Sequence, residues 1–211
     1  MGDLMHALPA LTDAVNNVPG ISFDWVVDEN FAEVPKWHPG VENLIVSAHR
    51  RWKKNLKAAL TNGEFRNFYK QLNHSDYDLV IDLQSNLKSA LVSLLRRSPV
   101  SGYDRQSCRE RPAQLSYKNQ YSISVNQHAI ARQRQLFARI FGYQGPETAP
   151  DYNVNFTQFA SPNFKPKNKY VVFVHNASWE SKLWPVDYWQ DVSRRAADLG
   201  YTVVLPSGND K

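Results

Sequence analysis

Asp78-Leu79-Val80-Ile81-Asp82-Leu83-Gln84 (78–84) is the stretch on which the fold turns. A short aliphatic run ends in a carboxylate and an amide, and a helical pattern follows over 87–95. A strand that runs straight into a polar turn and then a helix is the repeating half of a parallel α/β sheet. Upstream, Phe23-Asp24-Trp25-Val26-Val27 and Asn43-Leu44-Ile45-Val46 read as strands, and 64–72 reads as a polar helix. From Leu4 onward, Leu4, Ala7, Leu8, Leu11, Ala14 and Val15 recur at helical spacing, and Pro9 marks a start or a kink. Downstream, 127–141 reads as a basic amphipathic helix closed by Gly142, Gly145 and Pro146. A strand over 170–174, a helix over 187–199 ending at Gly200, and a strand over 201–205 complete the series.

This alternation predicts an α/β fold with a mainly parallel sheet. Residues 161–169, rich in Pro and Lys, read as a linker. They divide a first domain over 1–160 from an incomplete second one over 170–211, whose two strands are too few for a doubly wound sheet. The chain also opens on a helix, so the strand over 23–27 is expected to lack a neighbour. An unpaired strand of that kind predicts poor folding and aggregation of the isolated chain.

With 42% hydrophobic and 21% charged residues, the 211-residue chain has the composition of a globular protein. No apolar run approaches the roughly 18 residues of a membrane span. The start lacks the basic region of a signal peptide, and His6 replaces the Ser or Thr of a myristoylation site. The single cysteine, Cys108, fits a reducing compartment. These features predict a protein of the cytosol or of the cytosolic face of a membrane. The net charge of +5 conceals an asymmetry. Residues 1–49 hold one base and seven acids, 50–139 hold seventeen bases and six acids, and the remainder balances. The densest basic run is Arg50-Arg51-Trp52-Lys53-Lys54. Such a field attracts phosphates and carboxylates: nucleic acid, anionic lipid or an acidic sugar.

Ligands of open α/β sheets sit at the carboxyl ends of strands. Those ends supply Asp28 and Glu29, Arg50 and Arg51, Asp82 and Gln84, and His175 and Asn176. Gly2-Asp3 would occupy the same place after a preceding strand. From spacing alone Asp3 reads first as a helix N-cap, Asp82 equally as a satisfied loop carboxylate, and His175 as a plain strand-end histidine. No His pair has metal-ligand spacing, and the P-loop, the G-x-G-x-x-G turn and the G-x-S-x-G elbow are all missing. No nucleic-acid recognition motif accompanies the basic runs.

Seven segments carry a resemblance along the whole chain: 1–11 (Met-Gly-Asp-Leu-Met-His-Ala-Leu-Pro-Ala-Leu), 23–29, 50–54, 77–84, 127–132, 136–143 and 182–189 (Lys-Leu-Trp-Pro-Val-Asp-Tyr-Trp). Taken in order, they resemble the bacterial lipopolysaccharide heptosyltransferases, and most closely those that add the first heptose of the inner core. The resemblance implies a GT-B fold of two Rossmann-like domains, here with the first strand missing and only the start of the second domain. It implies transfer of L-glycero-D-manno-heptose from ADP-heptose to the Kdo of Kdo-lipid A, with inversion and without a metal or other cofactor.

On that resemblance Asp3 would be the general base, a carboxylate being sufficient where proton removal accompanies attack on an oxocarbenium-like centre. Lys182 would contact the donor, with Ala177 and Ser178 lining its phosphate region. Arg50, Arg51, Lys53 and Lys54 would form a basic loop facing the acidic acceptor, and Arg109, His128 and Arg132 would complete the acceptor side. The expected location is cytoplasmic, peripheral on the inner face of the inner membrane and against its anionic surface, with no nucleic-acid partner. Family members also carry a strand and a lysine-bearing loop before Met-Gly-Asp, an Asp-Thr-Gly and His motif beyond 205–208, and commonly Thr-Thr where this chain has Asn176-Ala177-Ser178. These departures support a second expectation, a non-catalytic remnant that binds anionic glycolipid through 50–54.

Overall fold

The computed structural model describes residues 1–206 apart from 146, 162, 163, 165, 178 and 179, and the backbone alone of Leu56. Pro146 and part of the 161–169 stretch thus lie outside the described residues. The chain divides into two compact units, Met1–Gln158 and Phe159–Lys211.

The first unit opens with helix α1 (Gly2–Met5), a break, and helix α2 (Leu8–Asn17). Pro9 falls in the first turn of α2, where its missing N–H costs nothing. The helical pattern that begins at Leu4 is therefore two helices. Strand β1 (Phe23–Asp28) pairs in parallel with β2 (Val41–Ser47), Trp25 opposite Leu44 and Val27 opposite Val46. Helices α3 (His49–Lys54), α4 (Leu56–Thr61) and α5 (Glu64–Leu72) follow. Strand β3 (Val80–Asp82) then pairs with β4 (Val100–Tyr103), and β4 with β5 (Asn119–Tyr121), all parallel. Helix α6 (Leu87–Leu94) joins β3 to β4, and a 3-10 turn over Arg111–Ser116 lies between β4 and β5. Helix α7 (Ala129–Phe141) returns across the sheet and ends at Gly142, whose φ of 75° suits a residue without Cβ.

Side-chain alternation along the strands builds the two faces. Phe23 and Trp25, together with Ile81 and Leu83, pack on Ala10, Leu11 and Ala14 of α2 and on Phe137 of α7. Tyr103 and Ile123 extend that face against Leu136. On the opposite face Val26 and Ile45 meet Phe68 and Leu72 of α5, and Val80 and Val100 meet Ala90 of α6 and Ala113. Helices α2 and α7 are also fastened by a buried ion pair. The Arg134 guanidinium donates to both Asp13 oxygens at 2.6 and 3.0 Å, and to the Thr148 carbonyl at 2.7 Å.

The sheet is parallel, as the sequence predicts, but it is not continuous. Strands β1–β2 form one ladder and β3–β4–β5 another, and no strand pairing joins them among the described residues. Both ladders are held by the same α2–α7 layer, and the Tyr77 hydroxyl reaches across to Asp24.

In the second unit β6 (Tyr170–Val172) pairs in parallel with β7 (Thr202–Val204), with helix α8 (Val186–Asp198) between them in sequence. The Phe173 ring lies 5.1 Å from Trp189, which stands at the same distance from Trp184.

Other features also depart from the sequence reading. Strands β4 and β5 have no counterpart in it, being short and without apolar alternation. The basic run at 50–54 is helical rather than a loop. Helix α7 starts at Ala129 rather than 127, because the His128 ring caps it by accepting the Ile130 N–H at 3.3 Å.

Candidate active site at the strand carboxyl ends

The loop after β3 sets the geometry. Asp82 is buried, and its Oδ1 accepts the backbone N–H groups of Gln84 and Ser85, both at 3.0 Å. Its Oδ2 accepts the Tyr117 hydroxyl at 2.7 Å. Asp82 is thus the satisfied loop carboxylate, the blander of its two sequence readings. Burial first, and then the charge of Asp82, push the Tyr117 phenol far above its ordinary range, so it remains a donor.

The turn tightened by Asp82 holds Ser85 at a φ of 47°, a left-handed conformation that few side-chain-bearing residues adopt. In that position its Oγ accepts the Arg109 N–H at 3.0 Å, and its carbonyl accepts the Glu110 N–H at 3.0 Å. The Glu110 carboxylate in turn accepts the Leu87 N–H at the start of α6, at 2.8 Å. The loops after β3 and β4 are in this way laced together, and Arg109 is presented outward.

Arg109 faces Asp3, with the guanidinium 3.8 Å from Oδ2 and both side chains largely exposed. Asp3 caps nothing: Met1 is the N-cap of α1 and no side chain bonds there. The N-cap reading of Asp3 therefore fails. Nearby, the rings of His6 and His128 meet edge to face at 5.6 Å. Arg132 donates to the Ser107 carbonyl at 2.6 Å and lies over the Tyr103 ring at 4.9 Å. Burial pushes the Tyr103 phenol up to about 12, so the ring stays neutral beneath that cation. The structure thus gathers Asp3, Arg109, His128 and Arg132 at the carboxyl ends of β3, β4 and β5.

A second basic group stands at the carboxyl ends of β1 and β2. The Arg51 guanidinium binds Glu29 at 3.0 Å and Glu64 at 2.7 Å, and the Trp52 indole donates to Glu64 at 2.8 Å. The Arg51 hydrogen bond, and then that of Trp52, hold the Glu64 carboxyl below its ordinary range. Arg51 therefore ties its helix to Glu29 after β1 and to Glu64 of α5. Arg50 is looser, 3.8 Å from Asp28 and 5.5 Å over the Phe31 ring. Lys53 and Lys54 are exposed and make no ion pair among the described residues. Of the four basic residues named from sequence, Lys53 and Lys54 are available to a ligand and Arg51 is committed.

In the second unit Ala177 and Lys182 are exposed, Lys182 closing a short 3-10 turn over Glu180–Lys182. His175 Nδ1 donates to the Phe173 carbonyl, 3.4 Å away. Ser178 lies outside the described residues. Among the described residues no group of three His, Cys, Asp or Glu side chains could hold a metal ion. Sequence reasoning missed Ser85, Ser107, Glu110 and His6. Their parts depend on a backbone angle and on long-range contacts that leave no local pattern.

Three comparisons bear on this arrangement. The model of glycosyltransferase family 9 (heptosyltransferase) matches residues 65–211. The lipopolysaccharide heptosyltransferase 1 of Pseudomonas aeruginosa is 47% identical over 210 residues, covering 99% of this chain and 59% of that protein. A solved Escherichia coli heptosyltransferase with ADP superposes at a TM-score of 0.90 with 40% identity, covering 100% of this chain and 66% of that one. The same kind of enzyme with ADP-2-deoxy-2-fluoro heptose superposes at 0.89, again at 40% identity, covering 99% of this chain and 66% of that one. The chain spans about three-fifths of the length of the Pseudomonas relative. Its parallel α/β units are Rossmann-like, in keeping with the GT-B fold of those structures. The chain belongs to glycosyltransferase family 9, the heptosyltransferases.

Proposed function

We propose that this chain forms the acceptor-binding part, and the beginning of the donor-binding part, of an enzyme of lipopolysaccharide inner-core synthesis. The reaction is transfer of L-glycero-D-manno-heptose from ADP-heptose to the Kdo of Kdo-lipid A, with inversion at the anomeric carbon. The solved relatives with ADP and with an ADP-heptose analogue support the donor, and the name of the relatives supports the lipopolysaccharide pathway. In this reading Asp3 takes the proton of the attacking Kdo hydroxyl as the new glycosidic bond forms and the bond to ADP breaks. Arg109, His128 and Arg132 hold the Kdo carboxylates, with Arg50, Lys53 and Lys54 meeting the lipid A phosphates. Lys182 balances charge on the departing ADP beside Ala177 and Ser178, so the reaction needs no bound metal. The enzyme works on the cytoplasmic face of the inner membrane.

One observation carries the reading: Asp3, exposed and without a structural duty as a cap, stands 3.8 Å from Arg109 among the acceptor-side cations. An exposed carboxylate beside a guanidinium is placed to take a proton while the cation receives an acidic sugar. In the full protein, Asp3→Ala is expected to lower transfer by about 10²-fold to 10⁴-fold, while Kdo-lipid A binding persists. Transfer at the wild-type rate would remove Asp3 from the mechanism.

A further inference from the structure

Helix α6 leaves three of its leucines in water, although Val92 packs toward Phe68 and Leu72. Its small residues Ala90 and Ser93 are the buried ones, each at 5% exposure, while Leu87, Leu91 and Leu94 are 50%, 65% and 62% exposed. Ser93 even satisfies its hydroxyl within the helix, on the Ser89 carbonyl at 3.0 Å. Spacings of four and three residues place the three leucines in one stripe about 10 Å long. The 3-10 turn over Arg111–Ser116 packs Ala113 against Ala90 and carries Leu115, which at 80% is the most exposed large apolar side chain among the described residues. A surface helix ordinarily buries its leucines and shows its polar side. An aliphatic ridge left in water marks a contact surface.

The charge around the ridge says what it contacts. Lys88 lies on α6, Arg97 just beyond it, Arg111 at the start of the 3-10 turn and Lys118 two residues past its end. All four are exposed, and none forms an ion pair among the described residues. From Leu83 to Tyr103 the sequence has no acid, and from 105 to 146 it has only Glu110, whose carboxylate is engaged by the Leu87 N–H.

We propose that this face docks on an anionic lipid surface. The leucines enter the boundary between headgroups and acyl chains, and Lys88, Arg97, Arg111 and Lys118 meet the lipid phosphates. A protein partner would be expected to meet aromatic anchors here, whereas the ridge is purely aliphatic. A lipid boundary requires no shape complement. The assignment deepens the function proposed above and rests on it for the acceptor alone. Helix α6 starts beside Glu110, next to Arg109, so docking would bring the Asp3 edge toward the surface that anchors a lipid-borne sugar.

Co-sedimentation with phosphatidylcholine vesicles, with and without phosphatidylglycerol, tests it directly. The full protein is expected to bind the vesicles containing phosphatidylglycerol, and binding should weaken as salt rises. Leu91→Glu/Leu94→Glu is expected to lower that binding about tenfold or more, with circular dichroism and tryptophan emission unchanged. Wild-type binding in this variant would overturn the proposal. So would a wild-type dimer in lipid-free ultracentrifugation that the variant dissolves, since the ridge would then belong to a second copy. Transfer to a deacylated, water-soluble acceptor separates docking from chemistry: the full protein carrying the variant should match wild type there, and a loss would overturn a role confined to docking. Inactive wild type on that acceptor would sink the enzymatic reading and leave the vesicle result standing.

Discussion

Asp13→Ala should destabilise the first unit far more than an ordinary change in a helix. The side chains of Arg134 and Asp13 retain 8% and 11% exposure, and the guanidinium also donates to the Thr148 carbonyl. Removing the carboxylate strands a cation between α2 and α7 that water reaches poorly. Breaking a buried pair from one side costs about 3–5 kcal/mol, a large part of the roughly 5–15 kcal/mol that holds a typical domain. Urea unfolding followed by tryptophan emission reads the loss as a fall in midpoint at constant slope. The double variant Asp13→Ala/Arg134→Met removes the stranded charge and refills its volume. It should therefore lose no more than Asp13→Ala alone, although Thr148 forfeits a donor. A loss below about 1 kcal/mol for Asp13→Ala, or a double variant equal to the sum of the singles, would refute the argument.

Two further outcomes follow from buried groups. His38 accepts the Gly40 N–H at Nδ1 and therefore donates from Nε2 to Thr12, at 2.9 Å; burial lowers its pKa below 6.5, with Asp151 opposing. Protonation thus favours the unfolded chain, so the His38 contribution is whole above 6.5 and is lost as pH falls below it. The urea midpoint should drop between roughly pH 7 and pH 5, and the drop should shrink in His38→Gln; an equal drop in that variant would locate the effect elsewhere. Gly102→Ala would place a Cβ 2.6 Å from the Tyr117 ring and push that ring off Asp82. A loss of about 1–3 kcal/mol is expected, and an unchanged melting temperature would show that the ring can move freely.

The parts of the fold that could be read from sequence are those where apolar spacing decides the outcome. Strands β1 and β2, helix α5 and helix α7 each bury one clear face, and their positions in the sequence reading lie within a few residues of the structure. Strands β4 and β5 escaped because Val-Ser-Gly-Tyr and Asn-Gln-Tyr carry no alternation. Ser101 is 1% exposed only because neighbouring strands and the Asn119 amide surround it. The basic run is expected as a loop from the family resemblance, but it is helical, with Arg51 held by Glu29 and Glu64 from other elements. At the site, Asp3 came from a likeness to a family, since spacing alone favoured a cap. Its facing Arg109 could not be paired with it by any local pattern, for more than a hundred residues of sequence separate the two. Asp82, the most conspicuous strand-end carboxylate, holds a turn instead.

The interrupted sheet changes how the first unit breathes. Opening β1–β2 breaks no ladder bond of β3–β4–β5, so local fluctuations need not pass from one ladder to the other. Under deuterium labelling the amides of each ladder should exchange as a separate group, with its own opening free energy. Helices α2 and α7, which pack on both, would carry whatever correlation exists between the two kinetic populations.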